Sequence, residues 1–158
     1  MQGEAILQDL TFLVAHPFDA ELSAKAIVNS KLVGSCFGSN SSTAGFSLSP
    51  GSYSTAAEGD SEFEWRFGVG GKLELVSTSP FHRSEYAIST ENVDLCEYYE
   101  CTVDCQFKIS GKRFAEFKQV LKLSSKASIS VFGGGVAMIV QLMVPMSSKC
   151  NVFVEYYL

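Results

Sequence analysis

The sequence lacks any apolar run approaching about 18 residues, the length of a membrane-spanning helix, and its first residues carry no positive charge. These absences disfavour a membrane span and a secretory signal. Disulfide pairing is also disfavoured, because five cysteines leave at least one unpaired. We therefore expect a protein of a reducing compartment, either the cytosol or the nucleus.

Residues that carry chemistry are scarce and are not grouped. The three neighbouring cysteines Cys96, Cys101 and Cys105 have no second ligand pair downstream, although structural zinc sites use four ligands. The two histidines, His16 and His82, cannot be placed beside a thiol as a catalytic base. We predict no metal, no cofactor and no catalytic residue, with reduced cysteines that act as small apolar residues.

Two further patterns have structural explanations. The alternating carboxylates Glu58, Asp60, Glu62 and Glu64 are typical of a solvated sheet face, because alternate strand residues point the same way and do not converge on a metal pair. The run Gly133-Gly134-Gly135 lacks the Lys and Ser or Thr of a phosphate loop, and it lies between apolar segments. It predicts a hairpin turn.

The remaining composition predicts one α+β domain over residues 1–158. Hydrophobic residues make up 46% of the chain and aromatic residues 12%, which is enough for a core. Apolar residues alternate most clearly over residues 62–67, which predicts a strand. Helical spacing predicts helices over residues 20–32 and 112–123. Further strands are predicted over residues 5–15, 46–48, 98–109, 126–132, 136–144 and 150–157, and from Leu73.

Positive charge is concentrated in one segment of an acidic chain. The formal net charge is −5, yet residues 108–126 hold six basic residues and one acidic residue. Charge alone leaves two interpretations open. The segment is either the solvated outer face of a helix or a surface that meets a polyanion.

Several segments resemble the second domain of the Rad-one-type subunit of the DNA-damage checkpoint clamp, a relative of proliferating cell nuclear antigen. The most specific is Phe153-Val154-Glu155-Tyr156-Tyr157 at the end of the sequence. The others are Phe107-Lys108-Ile109-Ser110, Leu123-Ser124-Ser125-Lys126-Ala127, Phe46-Ser47-Leu48-Ser49-Pro50 and Ser54-Thr55-Ala56-Ala57-Glu58-Gly59. The resemblance extends over residues 44–158. Family members carry two such domains in tandem.

The resemblance implies a DNA-clamp fold with antiparallel sheets outside and two helices on the inner face. It also implies a non-enzymatic nuclear scaffold that encircles double-stranded DNA with other checkpoint clamp subunits, is handled by a clamp loader, and recruits repair or kinase-signalling proteins. Inner helices of clamps meet phosphates without reading bases. The DNA-facing candidates on the two predicted helices are Lys112, Arg113, Lys118, Lys122, Lys25 and Lys31.

The resemblance also implies that the strand over residues 62–67 lies at a sheet edge and pairs with a neighbouring subunit. The predicted interface residues are Glu62, Phe63, Glu64, Trp65, Arg66 and Phe67. An interior position for this strand is the alternative. Two other functions stay open at this point, a β-rich domain that binds a small apolar ligand and a 3′-5′ exonuclease.

Overall fold

The computed structural model describes residues 20–42 and 61–158, which form nine strands and two helices. The strands are β1 (Leu22–Asn29), β2 (Glu62–Gly68), β3 (Lys72–Thr78), β4 (Arg83–Ser89), β5 (Cys96–Cys101), β6 (Cys105–Ser110), β7 (Lys126–Phe132), β8 (Ala137–Ser147) and β9 (Cys150–Tyr157). The helices are α1 (Ser30–Ser42) and α2 (Gly111–Leu123). The strands predicted over residues 5–15 and 46–48, together with Glu58 and Asp60, lie outside the described residues.

The strands form two antiparallel sheets. The five-stranded sheet has the order β5-β1-β7-β8-β9, and the four-stranded sheet has the order β4-β3-β2-β6. Each ladder in both sheets is antiparallel. The α+β class is confirmed.

Both helices pack on the apolar face of the five-stranded sheet, and α2 also contacts the four-stranded sheet. In the five-stranded sheet, the buried residues Ala26, Ile129 and Val140 lie opposite one another across three strands. The ring of Phe117 on α2 lies 5.3 Å from Tyr156 on this face. The ring of Phe114, also on α2, lies 4.6 Å from Phe63 of the four-stranded sheet. Helix α2 therefore contacts the inward faces of both sheets.

Strand β5 and the β7–β8 turn of the five-stranded sheet both contact the four-stranded sheet. The Tyr99 hydroxyl of β5 accepts from the Gly68 amide at 2.9 Å and lies 2.7 and 2.8 Å from the carbonyl oxygens of Gly68 and Lys72. In the β7–β8 turn, Gly135 lies against the backbone of Gln106 in β6. These contacts join the two sheets at one side of the domain.

Two secondary-structure predictions are wrong. Residues 22–29, predicted as part of a helix over 20–32, form β1, and the helix begins at Ser30. The small residues Ala24 and Ala26 fit both periodicities, and pairing with β5 and β7 on either side favours the extended form. The segment predicted as one strand over 98–109 is divided into β5 and β6, which belong to different sheets.

Candidate nucleic-acid interface

Helix α2 presents a basic surface because its apolar residues occupy one side. Phe114, Phe117 and Leu121 are buried at helical spacing. The Ser110 hydroxyl caps the first turn by accepting from the Arg113 amide at 3.3 Å, and Ser124 closes the C-terminus. The helix predicted over residues 112–123 is confirmed, and its basic side chains lie off the apolar stripe.

The six basic residues of segment 108–126 divide between two surfaces. Lys108 lies on β6 and its Nζ is 3.1 Å from Glu62, while Lys126 lies on β7 and pairs with Glu97. The other four are on α2. Both lysines outside the helix are therefore compensated by carboxylates, which the sequence alone did not indicate.

Three basic residues of α2 have no ion pair with a carboxylate in residues 20–42 and 61–158. These are Lys112, Arg113 and Lys122, and all three are exposed. Lys118 is half-buried on the flank of the same helix. Exposed and uncompensated cations are the groups that can exchange counterions for phosphates.

Lys31 belongs to the same helical layer. It is exposed in the first turn of α1, where the neighbouring Ser30 amide donates to the Ser125 carbonyl at 3.2 Å. This bond places the start of α1 beside the end of α2, which carries Lys122. Lys31 therefore lies at the end of α2 that carries Lys122, and Lys112 and Arg113 are at the other end of that helix.

Lys25 does not belong to this surface. Its assignment to a helix is wrong, because it lies on β1 opposite Glu100 of β5 and Ser130 of β7. Side chains alternate along a strand, and the adjacent Ala24 and Ala26 are buried under the helices. Lys25 thus points to the outer face of the five-stranded sheet, away from α2.

The outer face of the four-stranded sheet carries charges that are largely paired. The Arg66 Nε lies 2.6 Å from Glu64, and the Arg83 guanidinium lies 2.6 Å from Glu85. A further pair joins Lys72 and Glu74 at 3.1 Å on the same face. The cations of this outer face are therefore compensated, whereas three of those on α2 are not.

The predicted interface strand is not at an edge. Strand β2 pairs with β3 on one side and with β6 on the other, and Phe63, Trp65 and Phe67 are buried in the core. Both sets of backbone groups are used within the domain, so the edge prediction is wrong. Among the described strands, the sheet ends are β5 and β9 in one sheet and β4 and β6 in the other; β9 and β4 are the ends opposite to β5 and β6.

No cluster of three or more potential metal ligands occurs among the described residues. Cys101 and Cys105, which both fall within the strand predicted over residues 98–109, lie on β5 and β6, and burial raises the pKa of Cys105 to about 11. This shift favours the neutral thiol. Glu62 and Glu64, two of the carboxylates considered for a nuclease, pair instead with Lys108 and Arg66.

The described strands also do not close into a ligand-binding barrel, because each sheet has two distinct ends. A groove of about 450 Å³ lies on the outside of the four-stranded sheet, between Arg66, Lys72 and Asp104. Its charged lining does not fit a small apolar ligand. No helix in the described part of the chain is long and apolar enough to cross a membrane.

Comparison with known proteins identifies the fold. No protein-family model and no curated relative matches the sequence. Among solved structures, the chain is similar to the PCNA2–PCNA3 complex from Sulfolobus tokodaii, with a TM-score of 0.60 and 18% sequence identity. The fold is that of a PCNA-like clamp. The match covers 89% of this chain and 48% of that one, so the chain spans about half the length of the clamp chain it matches.

The clamp fold explains the layered arrangement, and the fold predicted from the resemblance is confirmed. The identity of a Rad-one-type checkpoint subunit stays a prediction. Sequence reasoning missed β4, because Arg83, Ser84 and Glu85 obscure its alternation. It also missed Tyr99, whose role depends on a contact with residues 27 to 31 positions away.

Proposed function

We propose that the chain is a non-enzymatic sliding-clamp scaffold of the DNA-damage checkpoint, of the Rad-one type. In this proposal it acts in the nucleus and encircles double-stranded DNA together with other checkpoint clamp subunits. A clamp loader places it on DNA, and repair or kinase-signalling proteins bind to it. The clamp fold supports the scaffold role, and the sequence resemblance supports the checkpoint assignment.

The observation that carries the proposal is the separation of charge between the two faces. Lys112, Arg113 and Lys122 are exposed and uncompensated on the helical face, whereas Lys72 and Lys108 on the opposite face lie 3.1 Å from carboxylates. Encirclement needs a basic lining but little affinity, because topology rather than binding retains the protein on DNA. Such a lining predicts sequence-independent and salt-sensitive contact.

Assembly follows from the two open sheet ends. The contacts between the sheets involve β5 and β6, and β9 and β4 are the opposite ends of their sheets. An unpaired strand edge is a template for pairing with another chain. Two different edges on one domain give head-to-tail contacts, which close into a ring when the rotation between subunits permits. The solved clamp with this fold is itself a complex of two different subunits.

Duplex binding by the full chain at several salt concentrations tests the DNA-facing surface. Replacing Lys112, Arg113 and Lys122 by Gln should reduce the slope of log K against log salt by roughly 0.9 for each phosphate that the variant no longer neutralises. A matched control removes the same charge from paired lysines on outer sheet faces. The control residues are Lys72, Lys108 and Lys126.

Equal effects of the two triple variants would contradict the proposed lining, because only net charge would then matter.

The scaffold role has a separate test. Affinity capture of the full chain from nuclear extract should recover other clamp subunits, and their absence would contradict the checkpoint assignment. A metal-dependent loss of nucleotides from a 3′ end would instead favour the exonuclease alternative.

A further inference from the structure

Cys101 and Cys105 lie at the two ends of the short loop that connects the sheets. Cys101 is the last residue of β5, and Cys105 is the first residue of β6. Cys105 pairs with Phe67 of β2, whose ring stacks on that of Tyr99 with centroids 6.4 Å apart. Because alternate strand residues share a face, Cys101 lies on the same inward face of β5 as Tyr99. Both thiols are free, and both border this aromatic contact.

The fold holds the loop between the two cysteines at both ends. The Thr102 amide and hydroxyl donate to the Ser23 carbonyl at 2.9 and 3.1 Å. The Asp104 carboxylate accepts from the Val69 amide at 2.8 Å. Ser23 belongs to the five-stranded sheet, and Val69 directly follows β2 of the four-stranded sheet. Contacts with both sheets therefore fix the ends of the loop, and with them the two thiols.

The two thiols differ in access and in protonation. Cys101 is half-buried and is followed by three exposed residues, whereas Cys105 is only 7% exposed. Burial and the neighbouring Cys101 thiol, through charge and a hydrogen bond, raise the pKa of Cys105 to about 11. Because the thiolate is the form that attacks an oxidant, the buried and neutral Cys105 reacts slowly by itself. A small oxidant from solution therefore reaches Cys101 first.

We propose that Cys101 and Cys105 are a redox-modification site, which a hydroperoxide converts into a disulfide between β5 and β6. First, the Cys101 sulfur attacks a peroxide oxygen, so that an S–O bond forms and the O–O bond breaks. The oxygen that leaves takes up the Cys101 proton and departs as an alcohol or water. Cys101 is then a sulfenic acid, and the hydroperoxide has gained the two electrons that the sulfur lost.

Cys105 completes the reaction as the resolving thiol. Its sulfur attacks the sulfenic sulfur of Cys101, so that an S–S bond forms and the S–O bond breaks. The hydroxide that leaves takes up the Cys105 proton and departs as water. A thiol reductant reopens the bond by exchange. Disulfides of reducing compartments are usually transient in this way. This inference is independent of the proposed contact with DNA and of assembly.

Peptide mapping of the full chain tests the pair. The chain is treated with hydrogen peroxide, alkylated with iodoacetamide in denaturant, and cleaved after glutamate. The peptide over residues 101–116 then contains Cys101 and Cys105 and excludes the other three cysteines. We expect this peptide to lose two hydrogen atoms and to escape alkylation, and dithiothreitol should restore both thiols. A peptide that stays fully alkylated while exposed Cys150 is oxidised overturns the inference.

Two serine variants test the order of the steps. In Cys105→Ser the sulfenic acid has no resolving thiol, so dimedone labelling of Cys101 should rise several-fold. In Cys101→Ser the buried Cys105 should stay reduced under the same treatment. Cys96→Ser is the matched control, because it removes another buried cysteine of β5 and should leave the Cys101–Cys105 disulfide unchanged.

Thermal melting verifies that each variant is folded. Equal dimedone labelling of Cys101 with and without Cys105 would overturn the resolving role. Oxidation of Cys105 in Cys101→Ser at the rate found in the unmodified chain would overturn the assigned order. The peptide map of the unmodified chain decides whether the pair forms even if a serine variant does not fold.

Discussion

The contact between the β7–β8 turn and β6 should be the most sensitive point of the junction between the sheets. Gly135 has a φ of +113°, which side-chain-bearing residues rarely adopt. A Cβ atom at this position would lie well inside van der Waals contact of the Gln106 carbonyl oxygen, with the Gln106 carbon at 3.3 Å. Because that oxygen belongs to the backbone of a paired strand, rotation of a side chain cannot relieve the clash. Gly135→Ala should therefore separate the turn from β6.

The expected destabilisation combines two costs. A residue held in a rarely populated backbone conformation costs about 1–3 kcal/mol, and forcing extra volume into a packed site costs about 1–3 kcal/mol. We expect Gly135→Ala to lower the free energy of unfolding by about 2–6 kcal/mol. Gly134 provides a matched control in the same turn, since its φ is +71° and nothing lies within 4 Å of an added Cβ. Gly134→Ala should cost about 1–2 kcal/mol, from the backbone alone.

Urea unfolding followed by circular dichroism measures the difference. With a slope of about 2 kcal/mol per molar urea, a decrease of about 3 kcal/mol lowers the midpoint by about 1.5 M. Equal midpoints for the two alanine variants would refute the reasoning, because they would mean that the turn does not press on β6. A Gly135→Ala protein without a cooperative transition would exceed the expected destabilisation and agree in direction.

Four further outcomes are expected. Tyr99→Phe removes a hydroxyl bonded to the four-stranded sheet, so it should lower the free energy of unfolding, measured in urea, by about 1–3 kcal/mol. The control Tyr98→Phe, on the exposed side of the strand, should lower it by under about 0.5 kcal/mol. Trp65→Pro should abolish the folded circular dichroism spectrum, because it breaks an interior ladder and empties the core; retention of that spectrum would contradict the sheet order. Iodoacetamide at pH 8 should modify exposed Cys150 before Cys105, and peptide mass spectrometry can establish the order. Burial raises the pKa of Cys105 from 9.0 to about 11, so the stability contributed by its neutral thiol is present below pH 9 and is lost as the pH rises through 11. Between pH 9 and 11, the melting temperature of Cys105→Ala should therefore fall less steeply than that of the unmodified protein.

The sequence predicts those elements whose local pattern and tertiary environment agree. Residues 62–67 alternate large aromatic and charged side chains, and they form β2 with the aromatics buried. The helix over 112–123 has apolar residues at helical spacing and a serine cap, and it forms α2. The hairpin at Gly133–Gly135 follows from three residues free to adopt positive φ. In each case a short window contains the information that decides the structure.

The failures occur where distant residues decide the structure. Nothing within residues 62–67 shows whether two strands or one will flank them, so the edge or interior position of β2 depends on β3 and β6. The same holds for Lys108 and Lys126, whose carboxylate partners are 46 and 29 residues away. Hydrophobic periodicity and local charge can be read from neighbouring residues in the sequence. Strand order in a sheet and ion pairing depend on contacts between residues that are distant in the sequence.

The net charge of −5 does not oppose the proposed contact with DNA. The carboxylates on the outer sheet faces are far from the helical face, and salt screens their charges over that distance. An α-helix is about 10 Å across, and packed layers are spaced by about 10 Å. The Debye length is about 8 Å at physiological ionic strength. The carboxylates on the outer sheet faces are therefore separated by more than one Debye length from a phosphate that contacts α2. A phosphate at the helical face is influenced chiefly by Lys112, Arg113 and Lys122, with Glu116 as the acidic residue of the same helix. The local charge of that face, rather than the charge of the whole chain, determines the contact.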